Sequence, residues 1–319
     1  RRGRKVPLNY EYRAQIMNGL IGWKKKMSDV GVMDDAEISH KMYEFLNQLK
    51  PEYTNILIDE SQDLGTLELI VLRKLAHNGN NDLFFAADMA QTILPKTNDF
   101  NAAKIAFEDR VFSLQKNYRN SREILTTARE ILWESLDEDF INEKHINLLE
   151  PDFANRSSDL PRIIEADSLG QEIAAARLYC EDYLANINPG ATCCIILAGY
   201  TNLEVSNFGE EIGLKTLDIR GSFKDESITL SDMETVKGLE FDIVYIVNCN
   251  DQNLPNVNHA KEESYRDACL LYVAMTRAKH RLLLSYSGSC SSWLDQLSEP
   301  HEDMHVSDMF DADEITATH

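Results

Sequence analysis

No stretch of this 319-residue chain approaches the ~18 consecutive apolar residues of a membrane span, and no apolar run follows its N-terminus. Neither an integral membrane protein nor a secreted one is expected. Cysteine is sparse. Cys180, Cys193, Cys194, Cys249, Cys269 and Cys290 include no C-x-x-C pair and no Cys/His set at zinc spacing, so reduced thiols in a cytoplasmic protein are expected. Positive charge is scarce too. Against 53 Asp+Glu there are 32 Lys+Arg, a net charge of −21, which excludes a protein that grips nucleic acid by bulk charge. The last 25 residues hold eight acids and no Lys or Arg. Residues 295–319 are therefore expected to form a disordered acidic tail whose removal from 300 onward shifts the melting temperature by a couple of degrees at most. Residues 1–26 have the opposite balance, with eight basic side chains and one acid.

What is present suits a soluble globular chain of about two domains, since 43% of its residues are apolar. Helical periodicity recurs around 10–23, 36–49, 66–76, 121–136, 170–187 and 262–278. Short apolar runs between these stretches predict buried strands at Ile56–Ile58, Leu83–Phe85, Val111–Phe112, Arg162–Ile164, Cys194–Leu197, Ile243–Val247 and Arg281–Leu284. Strands apolar throughout, alternating with helices, imply an α/β fold with parallel sheets covered on both faces. Residues 136–161 are polar, contain two prolines and read as an irregular connection.

Five short strings carry chemistry. Ile56-Leu57-Ile58-Asp59-Glu60 is a buried strand ending in two acids, the form of a Walker B site in which an Asp holds Mg²⁺ and a neighbouring acid polarises water. Asp88 to Gln91 follows a second strand, where a Gln amide can reach a terminal phosphate. Asn117-Tyr118-Arg119 precedes a Ser-capped helix and suits an anionic ligand. Lys237-Gly238-Leu239-Glu240 turns tightly into an apolar strand. In Thr276-Arg277-Ala278-Lys279, Arg277 ends a helix, where it serves either the helix dipole or a phosphate. Alone, each string is an ordinary surface feature. Together, in this order and on alternating elements, they are specific.

On these residues the chain resembles the UvrD/Rep/PcrA-like helicases of superfamily 1. The resemblance runs from about Met42 to Tyr286, with motif II at Asp59–Asp63, III at Asp88–Ile93, IV at Asn117–Arg119, V at Ile228–Phe241 and VI at Leu271–Lys279. It implies RecA-like P-loop NTPase lobes with parallel sheets: a partial first lobe over 1–110, a second over 111–294, and the tail. It also implies ATP bound between the lobes with Mg²⁺ on Asp59. Glu60 would activate water and Gln91 would sense the terminal phosphate. Arg119 and Arg277 would stabilise the transferring phosphoryl group, while Gly238 and Glu240 would face the nucleotide. Single-stranded or partly duplex DNA and 3′-to-5′ movement follow from the same resemblance.

The pattern has gaps. None of the fourteen glycines is followed by Lys, so the phosphate cradle G-x-x-x-x-G-K-[ST] is missing. Either it lies in an upstream segment of a longer protein or this relative does not hydrolyse ATP; as given, the chain is expected to be inactive alone. Motif III has Ala87, Ala90 and Leu94 in place of Gly, Asp and an aromatic. Motif V has Asp232 and Glu234 where the family has Thr and His beside DNA, which weakens the expectation of a DNA grip there. Only about 30 residues separate the Cys194–Leu197 strand from motif V, too few for the family's accessory domain. The alternative reading is a helicase-like subunit that docks a partner such as RNA polymerase or a nuclease, as compact UvrD-like subunits of antiphage Gabija systems do.

Overall fold

The computed structural model describes residues 9–92, 98–107, 110–114, 117–137, 154, 156–217, 227–259, 261–298, 300–311 and 314–315. The chain divides into two units, 1–86 with 96–109, and 87–95 with 110–319. The segment 87–95, assigned from sequence to the first lobe, groups with the larger unit.

In the smaller unit, α1 (Tyr10–Val30) starts where the Asn9 side chain accepts the Tyr12 amide and stops at Gly31, whose φ of 72° is left-handed. Helix α2 (Asp35–Glu44) is capped by Asp34, and α3 (Thr66–Leu75) starts after Gly65. Strands β1 (Ile56–Ile58) and β2 (Leu83–Phe85) pair in parallel with Ile56 opposite Leu83. Packed with them lie Leu69, Ala103 and Ile105 with an edge-to-face trio of Phe85, Phe100 and Phe107.

The larger unit is built on six parallel strands. These are β3 (Arg162–Ala166), β4 (Cys193–Leu197), β5 (Ile228–Asp232), β6 (Phe241–Val247), β7 (Ala278–Ser287) and β8 (Glu302–His305), in the order β5-β4-β6-β7-β3-β8. Helices α4 (Arg122–Ser135) and α7 (Lys261–Met275) cover one face, while α5 (Leu169–Asn186) and α6 (Asn202–Ile212) cover the other; α8 (Ser292–Asp295) follows β7. The pleat divides the strands between these two layers. Cys194, Ile196, Val244, Ile246, Leu282 and Leu284 pack with α4 and α7, whereas Cys193, Ile195, Leu197, Ile243, Tyr245 and Leu283 pack with α5. Both sets are apolar, which explains the unbroken hydrophobic runs.

Two expectations are corrected here. Val111 and Phe112 form no strand and are 73% and 87% exposed, so nothing buries the apolar pair. The acidic tail is not structureless between 300 and 311. Strand β8 pairs with β3, the Arg162 Nε donates to Glu302 Oε2 at 2.9 Å, and Val306 and Ile315 enter the core. Alternation in Glu-Asp-Met-His is faint, and the strand forms because β3 offers an open edge. The expected irregular connection over 136–161 lies mostly outside the described residues, as do Ile93 and Leu94. None of the six cysteines is in a disulfide; burial pushes the Cys269 thiol up to about 12 and the Cys290 thiol to about 11. Among the described residues no helix is long and apolar enough to cross a membrane.

Candidate active site

The N-terminal ends of the central strands β6 and β7 gather four of the expected residues. Helix α7 is buried along its whole last turn, and Thr276 and Arg277 join it to β7. Arg277 is 1% exposed. A guanidinium so placed needs acceptors for its fork. Its Nε donates to Val273 O at 3.0 Å, Nη1 to Leu239 O at 3.4 Å and Nη2 to Gln91 Oε1 at 3.2 Å. Gln91 sits in a short 3₁₀ turn, Met89–Gln91, capped by Asp88. The Asp88 carboxylate accepts the Gln91 side-chain amide at 2.7 Å, which turns the Gln91 carbonyl oxygen toward Arg277.

Arg119 is held from below. Asn117 Oδ1 accepts the amides of Arg119 (2.8 Å) and Asn120 (3.0 Å), forming an Asx turn. Asn120 then donates its side-chain amide to Thr276 O at 2.7 Å and Ala278 O at 2.8 Å, so it brackets Arg277. The two arginines, 158 positions apart in sequence, are thereby fastened to one another by a buried amide. Sequence reasoning assigned no role to Asn117, Asn120 or Asp88. Asn at two positions of one turn was the available signal, but its partners lie more than 150 residues away.

Glu240 completes the group. Its Oε1 accepts Arg119 Nε at 2.6 Å and its Oε2 lies 3.2 Å from Lys279 Nζ. Partial burial alone would raise its pKa, but the Arg119 and Lys279 charges outweigh that and hold its carboxyl below the usual value. Gly238 shapes the turn before it at φ +82°, a backbone angle that favours glycine, although a Cβ there would meet open space. Asp88, Gln91, Asn117, Tyr118, Arg119, Asn120, Glu240, Tyr272, Thr276 and Arg277 line an open cleft of about 460 Å³. Gly238 is not among its lining residues.

Asp59 and Glu60 belong to the smaller unit. They end β1, and Glu60 adopts φ 52°, an uncommon angle for a non-glycine residue. The turn is held by Ser61, whose amide and hydroxyl both donate to Ala86 O at 2.9 Å, and Glu60 accepts the Gln62 amide. Among the described residues no three His, Cys, Asp or Glu side chains cluster as a metal site. In motif V, Asp232 is a structural cap. It is buried and accepts the Glu234 and Thr235 amides at 2.7 and 2.9 Å, while Glu234 pairs with Arg266.

The larger unit is thus a parallel α/β domain with two guanidinium groups, Arg119 and Arg277, gathered by the N-terminal ends of its central strands β6 and β7. Comparison with known proteins makes this specific. Residues 200–289, from the loop after β4 to just past the end of β7, match the model of the UvrD-like helicase C-terminal domain. They include Glu240 and Arg277. An alignment of 139 positions that covers 35% of this chain shows 28% identity to one subunit of the ATP-dependent helicase/nuclease of Natranaerobius thermophilus. A 75-residue stretch, 23% of this chain, is 35% identical to the ATP-dependent DNA helicase UvrD1 of Mycobacterium leprae. The matched stretches span 11% and 10% of those relatives' own lengths. The C-terminal domain of a possible DNA helicase from Lactobacillus plantarum WCFS1 aligns over 59% of this chain and 98% of its own, with a TM-score of 0.40 and 22% identity.

Proposed function

We propose that this chain is the C-terminal portion of an ATP-dependent superfamily 1 DNA helicase or translocase that moves 3′ to 5′ on single-stranded DNA in the cytoplasm. The observation that supports it best is the meeting of Arg119, Arg277, Gln91 and Glu240 in one cleft. Catalysis of phosphoryl transfer rests on positioning and on cations around the phosphate. Two guanidinium groups lining one cleft supply donors of the kind a polyphosphate needs, so the residues fit ATP. The exposed Tyr118 ring at the cleft offers a face on which a base can stack.

Asp59 supplies a hard carboxylate oxygen of the kind Mg²⁺ takes, one protein ligand beside waters and phosphate oxygens being its usual arrangement. When bound, Mg²⁺ neutralises charge on the phosphates. Glu60 accepts a proton from the attacking water. Arg277 and Arg119 stabilise charge on the phosphoryl group, and Gln91, hydrogen-bonded to Arg277, responds to the terminal phosphate. No phosphate cradle occurs in these 319 residues. Turnover therefore requires a cradle from a further segment or another chain.

One observation favours a second reading. One of the relatives is itself named as a subunit of a helicase/nuclease, which supports a helicase-like subunit that docks a nuclease. Substituting Glu60→Gln in the protein carrying the phosphate cradle separates the readings. On the motor reading it retains ATP binding and loses turnover by orders of magnitude. Unchanged turnover would discard the assignment.

A further inference from the structure

Arg119 and Arg277 are not equivalent. Arg277 is only 1% exposed, and carbonyl oxygens of its own unit fix it in place. The Arg119 side chain is 40% exposed, and its Nε is taken by Glu240 at 2.6 Å. Its backbone is fixed by the Asn117 turn and the Asn120 clamp, so any movement is confined to the side chain. On the other side of the carboxylate stands Lys279, 3.2 Å from the second oxygen. A carboxylate and a phosphate compete for the Nε of Arg119, and the negative charge of Glu240 opposes a second anion at the same guanidinium.

We propose that Glu240 is an internal competitor for Arg119. It parks the arginine until a phosphoanion enters the cleft and displaces it, and Lys279 retains the displaced carboxylate. Glu240 is thus a positioning residue that sets how readily Arg119 is released. The proposal rests on the reading of the cleft as a phosphate site. An ion pair this exposed is worth little, so the effect on anion affinity is modest, about two- to fivefold.

The test is calorimetric titration of the 319-residue chain with inorganic tripolyphosphate at fixed ionic strength. Four forms are compared: unmodified, Glu240→Gln, Arg119→Ala, and both together. Glu240→Gln should bind about two- to fivefold tighter, and Arg119→Ala should bind more weakly. The gain from Glu240→Gln should vanish in the Arg119→Ala background, because the competitor acts only through Arg119. A gain of equal size in both backgrounds would show a general charge effect and overturn the proposal. So would no gain at all, while binding that needs Arg119 would still leave the phosphate site standing. Tripolyphosphate binding by none of the four forms would overturn the proposal and the phosphate reading together.

Discussion

Asn120 carries more of the site than its side-chain size suggests. It is 2% exposed and satisfies two carbonyl oxygens on either side of Arg277. Asn120→Ala leaves both without that donor in the interior, a loss of about 1–3 kcal/mol for a buried unsatisfied group. Chemical denaturation should show the destabilisation, and Asn120→Asp should fare no better, since a carboxylate cannot donate. Stability unchanged in Asn120→Ala would remove the clamp from the account. Glu240 makes a prediction in pH. Its folded pKa lies below the ordinary 4.5, so its contribution is present above that value and is lost as pH falls through the lower folded value. Titration of this carboxyl by NMR should give a midpoint below 4.5, moving up in Arg119→Ala; a midpoint at or above 4.5 in the unmodified chain would contradict the ion pair.

At the scale of elements, what was legible depended on whether the signal was local. β1 and β2 appear where apolar triplets predicted them but are not the buried strands expected, since Leu57 and Phe84 are 77% and 61% exposed; β4, β6 and β7 extend beyond their predicted runs because both faces of the larger sheet are covered. α6 was missed although Thr201 and Glu204 form the capping box that opens it. β5 was missed because Thr229 and Ser231 dilute its apolar pattern, yet both are buried. The error at Val111–Phe112 is the converse, an apolar pair that nothing covers. β8 was illegible because its stability comes from β3, about 140 residues earlier. Deleting residues 300–319 strips β3 of that partner and exposes the core that Val306 and Ile315 cover. Burial of each side chain is worth roughly 1.5–3 kcal/mol, and each kcal/mol corresponds to about 2–4 °C in a unit of this size. The melting temperature should therefore fall by at least about 5 °C. A shift of only a couple of degrees would restore the tail to a passive role.

For the whole molecule, the sequence carried the order of the motifs but not their grouping. Gln91, Arg119, Glu240 and Arg277 were each visible as residues. That 87–95 packs with the larger unit, and that Asn120 ties two of its arginines, follow only from long-range contacts. The cleft's two guanidinium groups sit in a chain of net charge −21, so on the proposed reading the local arrangement of those groups, rather than the surface as a whole, draws an anionic ligand.

The central claim is that Arg119 and Arg277 act on one phosphate. The most direct measurement is DNA-stimulated ATP turnover of the cradle-bearing protein with Arg119→Ala, Arg277→Ala and both, with single-stranded DNA binding followed as a control for folding. An arginine that stabilises the transferring phosphoryl group is worth about 10³–10⁵ in turnover. Each single variant should lose turnover on that scale while still binding DNA, and the double variant should be scarcely worse than either, as for residues that act as a unit. Full turnover in Arg277→Ala, or losses that multiply in the double variant, would contradict the shared site.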